Sequence, residues 1–380
     1  MNYELTEEQR MIQNMVREFA NDVIRPRALE IDVEAKFPED IFKEMGKLGM
    51  LGIPFPEEYG GSGGDTISYA LAVEEVGRAC GSTGLSYAAA VSLGATPIYM
   101  FGTEEQKQEF LVPLASGEAL GSFGLTEPNA GSDAGGTQTT AVEDGDDFVI
   151  NGEKSFITNA SFARSLIVTA VTGKNDRGRN IISAILVPTD TEGVSITSNY
   201  DKMGVRGSDT AQIVLDNVRV PKSNLLGDPK AGFSQFLSTL DGGRISIGAL
   251  SVGIAQDALD KALAYAQERQ QFGKTLSSFQ AVQFQLADMA MEVELARNAV
   301  LKAAWLKDQG KPFTKEAAIA KLYASETAVR NAERAVQIHG GYGYMREYEV
   351  ERLMRDAKLL VIGEGTSEIQ RIVISRQLLK

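Results

Sequence analysis

Apolar residues recur at helical spacing along the first third of the chain. The sequence Thr6-Glu7-Glu8-Gln9 has the form of a capping box, and apolar side chains follow it every three or four positions. Comparable spacing returns at residues 39–48, 66–79, 88–100 and 104–114. These segments predict an N-terminal helical domain, which we place at residues 1–116.

The pattern changes to strand-like runs in the middle of the chain. Short runs rich in Val, Ile and Thr are separated by turn sequences such as Asn151-Gly152. The runs occupy residues 147–150, 165–170, 181–187, 193–197 and 211–215. Because no long helical segment intervenes, we predict an antiparallel β-barrel or sandwich domain at residues 117–225.

Helical spacing returns after Pro221 and continues to the C-terminus. Three segments, 233–268, 279–309 and 314–338, are too long to be loops, and a final helix is expected after Glu364. Long helices with short connections form antiparallel bundles, so residues 226–380 are predicted to be a four-helix-bundle-like domain. The predicted fold class is α+β, with a β domain between two helical domains.

Composition narrows the classes of function. The 380 residues carry 38 Lys+Arg and 51 Asp+Glu, a net charge of −13, which argues against binding nucleic acid or an anionic membrane through a broad basic face. One Cys and one His cannot form a Cys/His zinc site, and we expect no metal. The N-terminus lacks a signal-peptide pattern and no apolar stretch is long enough to span a bilayer, so we expect a cytoplasmic protein without membrane insertion.

One carboxylate near the C-terminus occupies an unusual position. Glu364 lies between Gly363 and Gly365, so the backbone there can turn sharply and approach another molecule closely. Ser367 and Gln370 have the spacing of a capping box, which predicts that a helix begins beside them. A carboxylate on such a turn can project into a cavity, although a solvated glutamate in a helix-entry loop is the alternative interpretation.

Four other stretches are rich in glycine or polar residues: 123–133, 154–159, 269–280 and 337–344. Each has an ordinary structural interpretation, respectively an interdomain turn, a strand, a helix C-terminus with an arginine beside its dipole, and a helix C-cap. Each could also present backbone or polar groups to an anionic or aromatic ligand. The Gly-x-Gly-x-x-Gly sequence of Rossmann nucleotide sites is absent.

The order and spacing of these stretches resemble the acyl-CoA dehydrogenase family over essentially the whole chain. The resemblance is carried by Leu-Thr-Glu-Pro-Asn-Ala-Gly-Ser-Asp at 125–133 together with Glu-Gly-Thr-Ser-Glu-Ile-Gln at 364–370. The segment 311–338 and the region around Arg244 look most like the bacterial type of the short-chain, or butyryl-CoA, branch.

The resemblance implies an enzyme that binds FAD without a Rossmann fold. The positions that match flavin contacts in the family are Phe123, Leu125, Thr126, Ser132, Phe156 and Thr158. Those that match contacts of the adenosine-diphosphate half, some of them across a subunit interface, are Arg269, Phe272, Gln280, Gln337, Gly340, Gly341, Thr366 and Glu368. Many relatives have tryptophan at Phe156, so the smaller ring here implies altered shielding of the flavin.

The resemblance also implies a reaction and a substrate. Glu364 matches the base that removes the α-proton of an acyl-CoA while a β-hydride passes to flavin N5, which gives a trans-2-enoyl-CoA. Ser132, Asp241, Arg244 and Gly365 match substrate contacts. Gly243 stands where the isovaleryl branch carries its base, so that branch's mechanism is not expected. Gly363 replaces a tyrosine of many relatives, which weakens inference about acyl length.

The resemblance further implies a homotetramer that passes electrons to electron-transferring flavoprotein. Two alternatives from the same superfamily are an acyl-CoA oxidase, whose chains are commonly longer, and a non-catalytic flavin-bearing DNA-associated protein, which would need a basic face. A plain helical scaffold would leave the glycine-rich stretches unexplained.

Overall fold

The N-terminal part of the chain is helical, as the apolar spacing predicts. The structure is a computed structural model that describes residues 4–197 and 200–379. The predicted capping box is present, because Thr6 Oγ1 accepts from the Gln9 backbone N–H at 3.2 Å and Gln9 Oε1 accepts from the Thr6 N–H at 3.0 Å. The helices, joined by short π and 3₁₀ turns, are α1 Glu7–Phe19, α2 Ala28–Glu34, α3 Glu39–Lys47, α4 Thr66–Ala79, α5 Gly81–Ala89, α6 Thr96–Phe101, α7 Glu104–Gln106 and α8 Val112–Ala115.

A single large sheet forms the middle of the chain. Its strands are β1 Leu120–Gly124, β2 Thr140–Asp144, β3 Asp147–Thr158, β4 Ala163–Lys174, β5 Asn180–Pro188, β6 Val194–Thr197, β7 Thr210–Pro221 and β8 Leu225–Leu226. The order is β6-β7-β3-β2-β4-β5-β8, with β1 paired to β4. The predicted antiparallel pairing is present in the β2–β3, β3–β7, β4–β5, β5–β8 and β6–β7 pairs.

The sheet also contains two parallel pairs, which the prediction of an antiparallel β-barrel or sandwich did not include. β1 runs parallel to β4, with Gly121 opposite Ser165 and Gly124 opposite Val168, and β2 meets β4 in parallel at Thr140. β1 arrives from the helical domain and carries two glycines in five residues, so it has no continuous apolar run to predict a strand. Its pairing brings the glycine-rich stretch after Gly124 against the centre of the sheet.

Long helices form the C-terminal part of the chain. They are α9 Gly232–Glu268, α10 Gln280–Asp308, α11 Thr314–His339, α12 Val350–Leu360 and α13 Ser367–Leu378, with a small hairpin of β9 Gln270–Gln271 and β10 Lys274–Thr275 after α9. The three longest agree with the predicted segments, and the α+β fold class is confirmed. α12 was not predicted. α11 packs against α9, α10, α12 and α13, and buried alanines line much of it, so the neighbouring helices approach closely.

Two charged side chains of α12 connect all three parts of the molecule. Arg355 donates to both carboxylate oxygens of Asp32 at 2.9 and 2.6 Å, and to the carbonyl of Met203 at 3.1 Å. Buried Asp356 accepts from the Val205 N–H at 2.5 Å. These contacts fix α12, and the turn that follows it, against both the N-terminal helices and the β domain.

Two kinds of feature are not found within residues 4–197 and 200–379. None of the helices there has both the length and the apolar character that a membrane span requires. The same residues contain no cluster of three or more His, Cys, Asp or Glu side chains suited to a metal ion.

Candidate active site

The turn between α12 and α13 directs Glu364 into the protein. Glu364 and Gly365 both have left-handed backbone angles, φ 51° and 89°, a conformation that a residue with a Cβ rarely adopts. The helix that follows is capped by Thr366, whose Oγ1 accepts from the Ile369 N–H at 3.3 Å. The predicted cap at Ser367 was therefore wrong by one residue.

Gln370, predicted to complete that capping box, holds the turn instead. Its Nε2 donates to the carbonyl oxygens of Glu364 and Gly365 at 3.3 and 2.9 Å. Lys321 on α11, fully buried, donates from Nζ to the same Gly365 carbonyl at 2.7 Å. The turn that aims the carboxylate is therefore held from two helices. Sequence reasoning missed Lys321, although its position among the apolar residues of α11 was a usable signal.

One oxygen of the Glu364 carboxylate is buried. The residue as a whole is partly exposed, but its Oε2 atom is buried and has no hydrogen-bond partner in the described part of the chain. A Cβ at Gly243 on α9 would lie 2.4 Å from Oε2 and 3.2 Å from Leu93 Cδ2, so only glycine at 243 leaves room for the carboxylate beside this leucine. Desolvation raises the pKa of Glu364 to about 7, against the opposing charges of Lys321 and Arg244.

Asp241 and Arg244 are neighbours on the same turn of α9. Buried Arg244 donates from a terminal nitrogen to Asp241 Oδ1, and Asp241 Oδ2 accepts from Thr314 Oγ1 at 2.6 Å. The Nε of Arg244 is buried and unpartnered among the described residues. Burial lowers the pKa of the guanidinium, which Asp241 and Glu364 oppose, and Arg244 stays charged. The structure therefore places Asp241 and Arg244 near Glu364, together with Gly365 and Thr366.

The predicted flavin stretches meet where β1 and the segment after it lie beside the C-terminal end of β3. The Ser155 N–H donates to the Thr126 carbonyl at 2.9 Å, and Ser122 Oγ donates to the Thr158 carbonyl. These bonds place the segment 123–126 beside 156–158, and the ring of Phe123 packs 4.2 Å from that of Phe236 on α9.

Phe156 presents its ring to solvent from an irregular point in β3. Its φ is 59°, it lies in a register shift between Lys154 and Ile157, and 64% of it is exposed. The ring stacks on Tyr200 at 4.9 Å. Phe156 and Thr158 share the outward face of the strand, but the backbone there is bulged rather than regular.

A groove of about 580 Å³ lies at the C-terminal ends of α9 and α11. Its lining includes Arg269, Gly340 and Gly341, and the Arg269 guanidinium lies 5.3 Å from the Tyr342 ring. His339, also in the lining, bonds through Nδ1 to the Ala335 carbonyl at 2.8 Å and stacks on Tyr265 at 4.1 Å. Burial lowers the pKa of His339, so this histidine is neutral at pH 7.

The remaining predicted residues lie on the surface of a single chain. Phe272 has a left-handed backbone and is 93% exposed. Other exposed residues of the predicted site are Ser132, Gln280, Gln337 and Glu368. Within the residues that the structure describes, no direct contact joins these five to the Glu364 carboxylate.

Comparison with known proteins identifies the family. Models of the acyl-CoA dehydrogenase N-terminal, middle and C-terminal domains match residues 6–118, 122–218 and 230–379. The chain belongs to the acyl-CoA dehydrogenase family. It is 73% identical over 380 residues to the probable acyl-CoA dehydrogenase YngJ of Bacillus subtilis, with 100% of each chain covered. It is 48% identical to the short-chain specific acyl-CoA dehydrogenase of Clostridium acetobutylicum, again with 100% of each chain covered.

Solved structures agree with this assignment. Butyryl-CoA dehydrogenase from Megasphaera elsdenii superposes with a TM-score of 0.98 at 46% identity, and 100% of each chain is covered. A chain from work on the electron transferring flavoprotein of Acidaminococcus fermentans also gives 0.98, at 48% identity and 100% coverage of each chain. An acyl-CoA dehydrogenase complexed with FAD from Bacillus anthracis gives 0.93 at 36% identity, covering 99% of this chain and 67% of that one. The chain is an acyl-CoA dehydrogenase enzyme, and FAD is its cofactor.

The residues of this acyl-CoA dehydrogenase fit FAD. A flavin ring needs aromatic and backbone groups on an accessible face, and Phe156 with the segment 123–126 provides them. A diphosphate needs cations and helix N-termini, which exposed Arg269 and the starts of α10 and α13 supply. At α13 the buried Ser367 Oγ and Gln370 Oε1 have no partner in the described chain, so polar groups there are free for a ligand.

Proposed function

We propose that this enzyme converts a short-chain acyl-CoA to its trans-2-enoyl-CoA, with Glu364 as the base that removes the α-proton. The observation that carries the proposal is the buried, unpartnered Oε2 of Glu364, held on a left-handed turn in the space that Gly243 leaves open. A carboxylate with a pKa of about 7 is a far better base at neutral pH than one with an ordinary value. The absence of a hydrogen bond keeps its lone pairs available to a C–H proton.

The other residues near the turn have supporting roles in this proposal. The backbone N–H of Glu364 donates to the thioester oxygen, which stabilises the negative charge that develops as the α-proton leaves. Asp241 and Arg244 orient the pantetheine chain, and Ser132 and Gly365 contact the substrate from the neighbouring loops. Bound FAD supplies the oxidant that accepts the hydride from the β-carbon.

The cofactor contacts are assigned by matching the residues to two regions of the molecule. We assign the flavin ring to the region where β1 and the segment after it lie beside the end of β3, with Phe123, Leu125, Thr126, Ser132, Phe156 and Thr158. The adenosine-diphosphate half is assigned to Arg269, Phe272, Gln280, Gln337, Gly340, Gly341, Thr366 and Glu368. The strong exposure of Phe272 supports completion of this half-site by a second subunit, and we propose a homotetramer.

Electron-transferring flavoprotein is the proposed electron acceptor. Support comes from the match to a chain in the Acidaminococcus fermentans work, and from 45% identity over 376 residues to a subunit named for a caffeyl-CoA reductase–Etf complex in Acetobacterium woodii, covering 99% of each chain. Short acyl length is supported by the relatives named for short-chain or butyryl-CoA substrates.

The test is an anaerobic titration of the FAD-loaded enzyme with butyryl-, isovaleryl-, octanoyl- and palmitoyl-CoA, followed by the visible flavin absorbance. We expect bleaching at the lowest concentration with butyryl-CoA and progressively weaker bleaching as the acyl chain lengthens. Bleaching by palmitoyl-CoA alone would contradict the substrate length. A flavin that none of these thioesters bleaches would contradict the proposed reaction.

A further inference from the structure

Lys321 is a buried cation without a carboxylate partner. The side chain is 0% exposed, and its ammonium makes one hydrogen bond, to the Gly365 carbonyl at 2.7 Å. Among the described residues no acidic side chain forms an ion pair with it. Burial lowers the pKa of Lys321 to about 8, so the ammonium is still mostly protonated at pH 7. An uncompensated charge in the interior destabilises a fold, so its position calls for an explanation in function.

The hydrogen bond of Lys321 acts on the backbone that carries the proposed base. Two successive left-handed residues, Glu364 and Gly365, form the turn, and such a conformation persists only where its surroundings fix it. Lys321 from α11 and Gln370 from α13 both donate to the Gly365 carbonyl. The direction of the Glu364 side chain therefore depends on these two donors.

The charge of Lys321 also faces the carboxylate. The ionisable groups around Glu364 lie on four helices. Arg244 on α9 is already paired with Asp241, and Tyr69 on α4 is a buried, neutral phenol that donates to the Ala88 carbonyl at 3.0 Å. Further out, the negative charges of Glu368 on α13 and Glu326 on α11 oppose the lowering of the pKa of Lys321. Lys321 is therefore the cation near Glu364 whose charge no bonded carboxylate neutralises.

We propose that Lys321 is a positioning residue for proton abstraction: it fixes the peptide beside Glu364 and its unpaired positive charge stabilises the ionised carboxylate without bonding to it. The inference rests on Glu364 being the base, as proposed above. An ammonium bonded directly to the carboxylate would occupy the lone pairs that must take the α-proton. When the ammonium bonds to the neighbouring carbonyl instead, its positive charge still stabilises the ionised carboxylate, and the carboxylate lone pairs stay free.

Two substitutions separate the two parts of this role. Lys321→Met removes both the charge and the hydrogen bond while keeping an unbranched buried side chain. Gln370→Met removes hydrogen bonds to the same carbonyls and leaves every charge in place. Lys321→Arg keeps the charge, and Lys315→Met is the matched control, because Lys315 lies at the exposed start of the same helix and pairs with its neighbour Glu316 at 3.4 Å.

The experiment is the pH dependence of kcat/KM for butyryl-CoA between pH 5.5 and 9, with FAD content measured for every variant. The wild-type rate rises with pH as Glu364 ionises. For Lys321→Met we expect kcat to be about tenfold lower. We also expect the rise of kcat/KM with pH to be displaced to higher pH by about one pH unit, because an opposite charge near the carboxylate is lost. Gln370→Met should lower kcat without displacing the rise. Lys321→Arg should keep the wild-type midpoint, and Lys315→Met should match wild type throughout.

A midpoint for Lys321→Met that coincides with wild type would overturn the inference, as would an equal displacement in Gln370→Met. If Lys321→Met fails to fold with FAD, Lys321→Gln must show the same displacement, since it lacks the charge but retains a donor. A wild-type enzyme that shows no rise with pH would instead contradict Glu364 as the base, so the two failures are distinguishable.

Discussion

The protein buries two glutamate–lysine sets that have opposite consequences for the carboxylate. In the β domain, Lys154 Nζ donates directly to Glu127 Oε1 at 2.7 Å and to Thr169 Oγ1 at 2.9 Å. Beside α13, Lys321 bonds to a carbonyl and leaves Glu364 Oε2 without a partner. Both lysines are fully buried, and burial lowers the pKa of each to about 8.

The carboxylates of Glu127 and Glu364 differ because only Glu127 accepts hydrogen bonds from groups of the protein. Glu127 also accepts from the N–H groups of Gln138 and Thr139 and from the Thr139 hydroxyl. Although desolvation opposes it, the bonds from Lys154 and Thr139 hold the pKa of Glu127 below its usual value. Glu364 has none of these bonds, and burial raises its pKa to about 7. Direct contact with its partners keeps Glu127 an anion, whereas the pKa of Glu364, whose partner Lys321 bonds to the neighbouring peptide, is raised towards the value that suits the proposed base.

The largest expected effect is on turnover when the unpaired carboxylate is removed. Glu364→Gln keeps the shape of the side chain but cannot accept the α-proton, so we expect kcat with butyryl-CoA to fall roughly 10²–10⁴-fold while FAD stays bound. Steady-state assays and the flavin spectrum measure both quantities. Glu333→Gln, an exposed glutamate on α11, is the matched control and should retain wild-type turnover. Wild-type-like turnover of Glu364→Gln would remove Glu364 from the mechanism.

The paired carboxylate should matter for stability instead. Glu127→Gln leaves the Lys154 ammonium buried without a counter-charge, so we expect the free energy of unfolding to fall by about 3 kcal/mol at pH 7. The pKa of Glu127 is lowered in the fold, so its contribution is complete at neutral pH and is lost as the pH falls into the acid range. The difference from wild type should therefore shrink at low pH, as denaturant titrations can show.

Two comparisons test that contrast between the sites. Glu192→Gln, at an exposed position of the β domain, should leave the free energy of unfolding unchanged. Glu364→Gln should increase it at pH 8, because the raised pKa means that the ionised carboxylate destabilises the fold above its ordinary range. A loss of stability in Glu364→Gln equal to that in Glu127→Gln would show that the two sites do not differ as described.

A smaller effect is expected where the pocket leaves room for the carboxylate. Gly243→Ala places a Cβ 2.4 Å from the present position of Glu364 Oε2, so the carboxylate must move, and we expect kcat to fall roughly tenfold. Gly242→Ala is a close control: it is the preceding position of the same helix, and its Cβ would meet only Lys307 Nζ, at 3.5 Å. Equal effects of the two substitutions on kcat would indicate a general response of α9 to alanine rather than displacement of the base.

Local patterns in the sequence were sufficient for much of the fold. The long apolar repeats gave the three longest helices almost to the residue, and the Thr6–Gln9 capping box is present as predicted. Several elements were missed, among them α2, β2 and β8 as well as β1 and α12. β1 is stabilised by pairing with β4, which lies far from it in the sequence. α12 carries charged residues, Arg355 and Asp356, whose hydrogen-bond partners lie in other domains. Neither signal is local.

The residues of the site likewise divide into those that local sequence indicated and those that depend on packing between distant elements. Glu364 was identified from its flanking glycines and from family resemblance. Lys321 and Leu93 were not identified, and Gln370 was given the wrong role, because their relation to Glu364 depends on how α11, α13 and the segment Ala90–Ala95 pack around the turn. The contact between Lys154 of β3 and Glu127 in the segment after β1 was also not predicted, since nothing in either local sequence shows that these residues meet.

The most direct test of Glu364 as a buried base is the rate of anaerobic flavin bleaching by butyryl-CoA in single turnovers, measured from pH 5.5 to 9 with ordinary and α-deuterated substrate. We predict that the rate rises with pH, with a midpoint near the pKa of about 7, and that α-deuteration slows it. A rate that does not change with pH across this range, with no effect of α-deuterium, would contradict proton abstraction by this carboxylate.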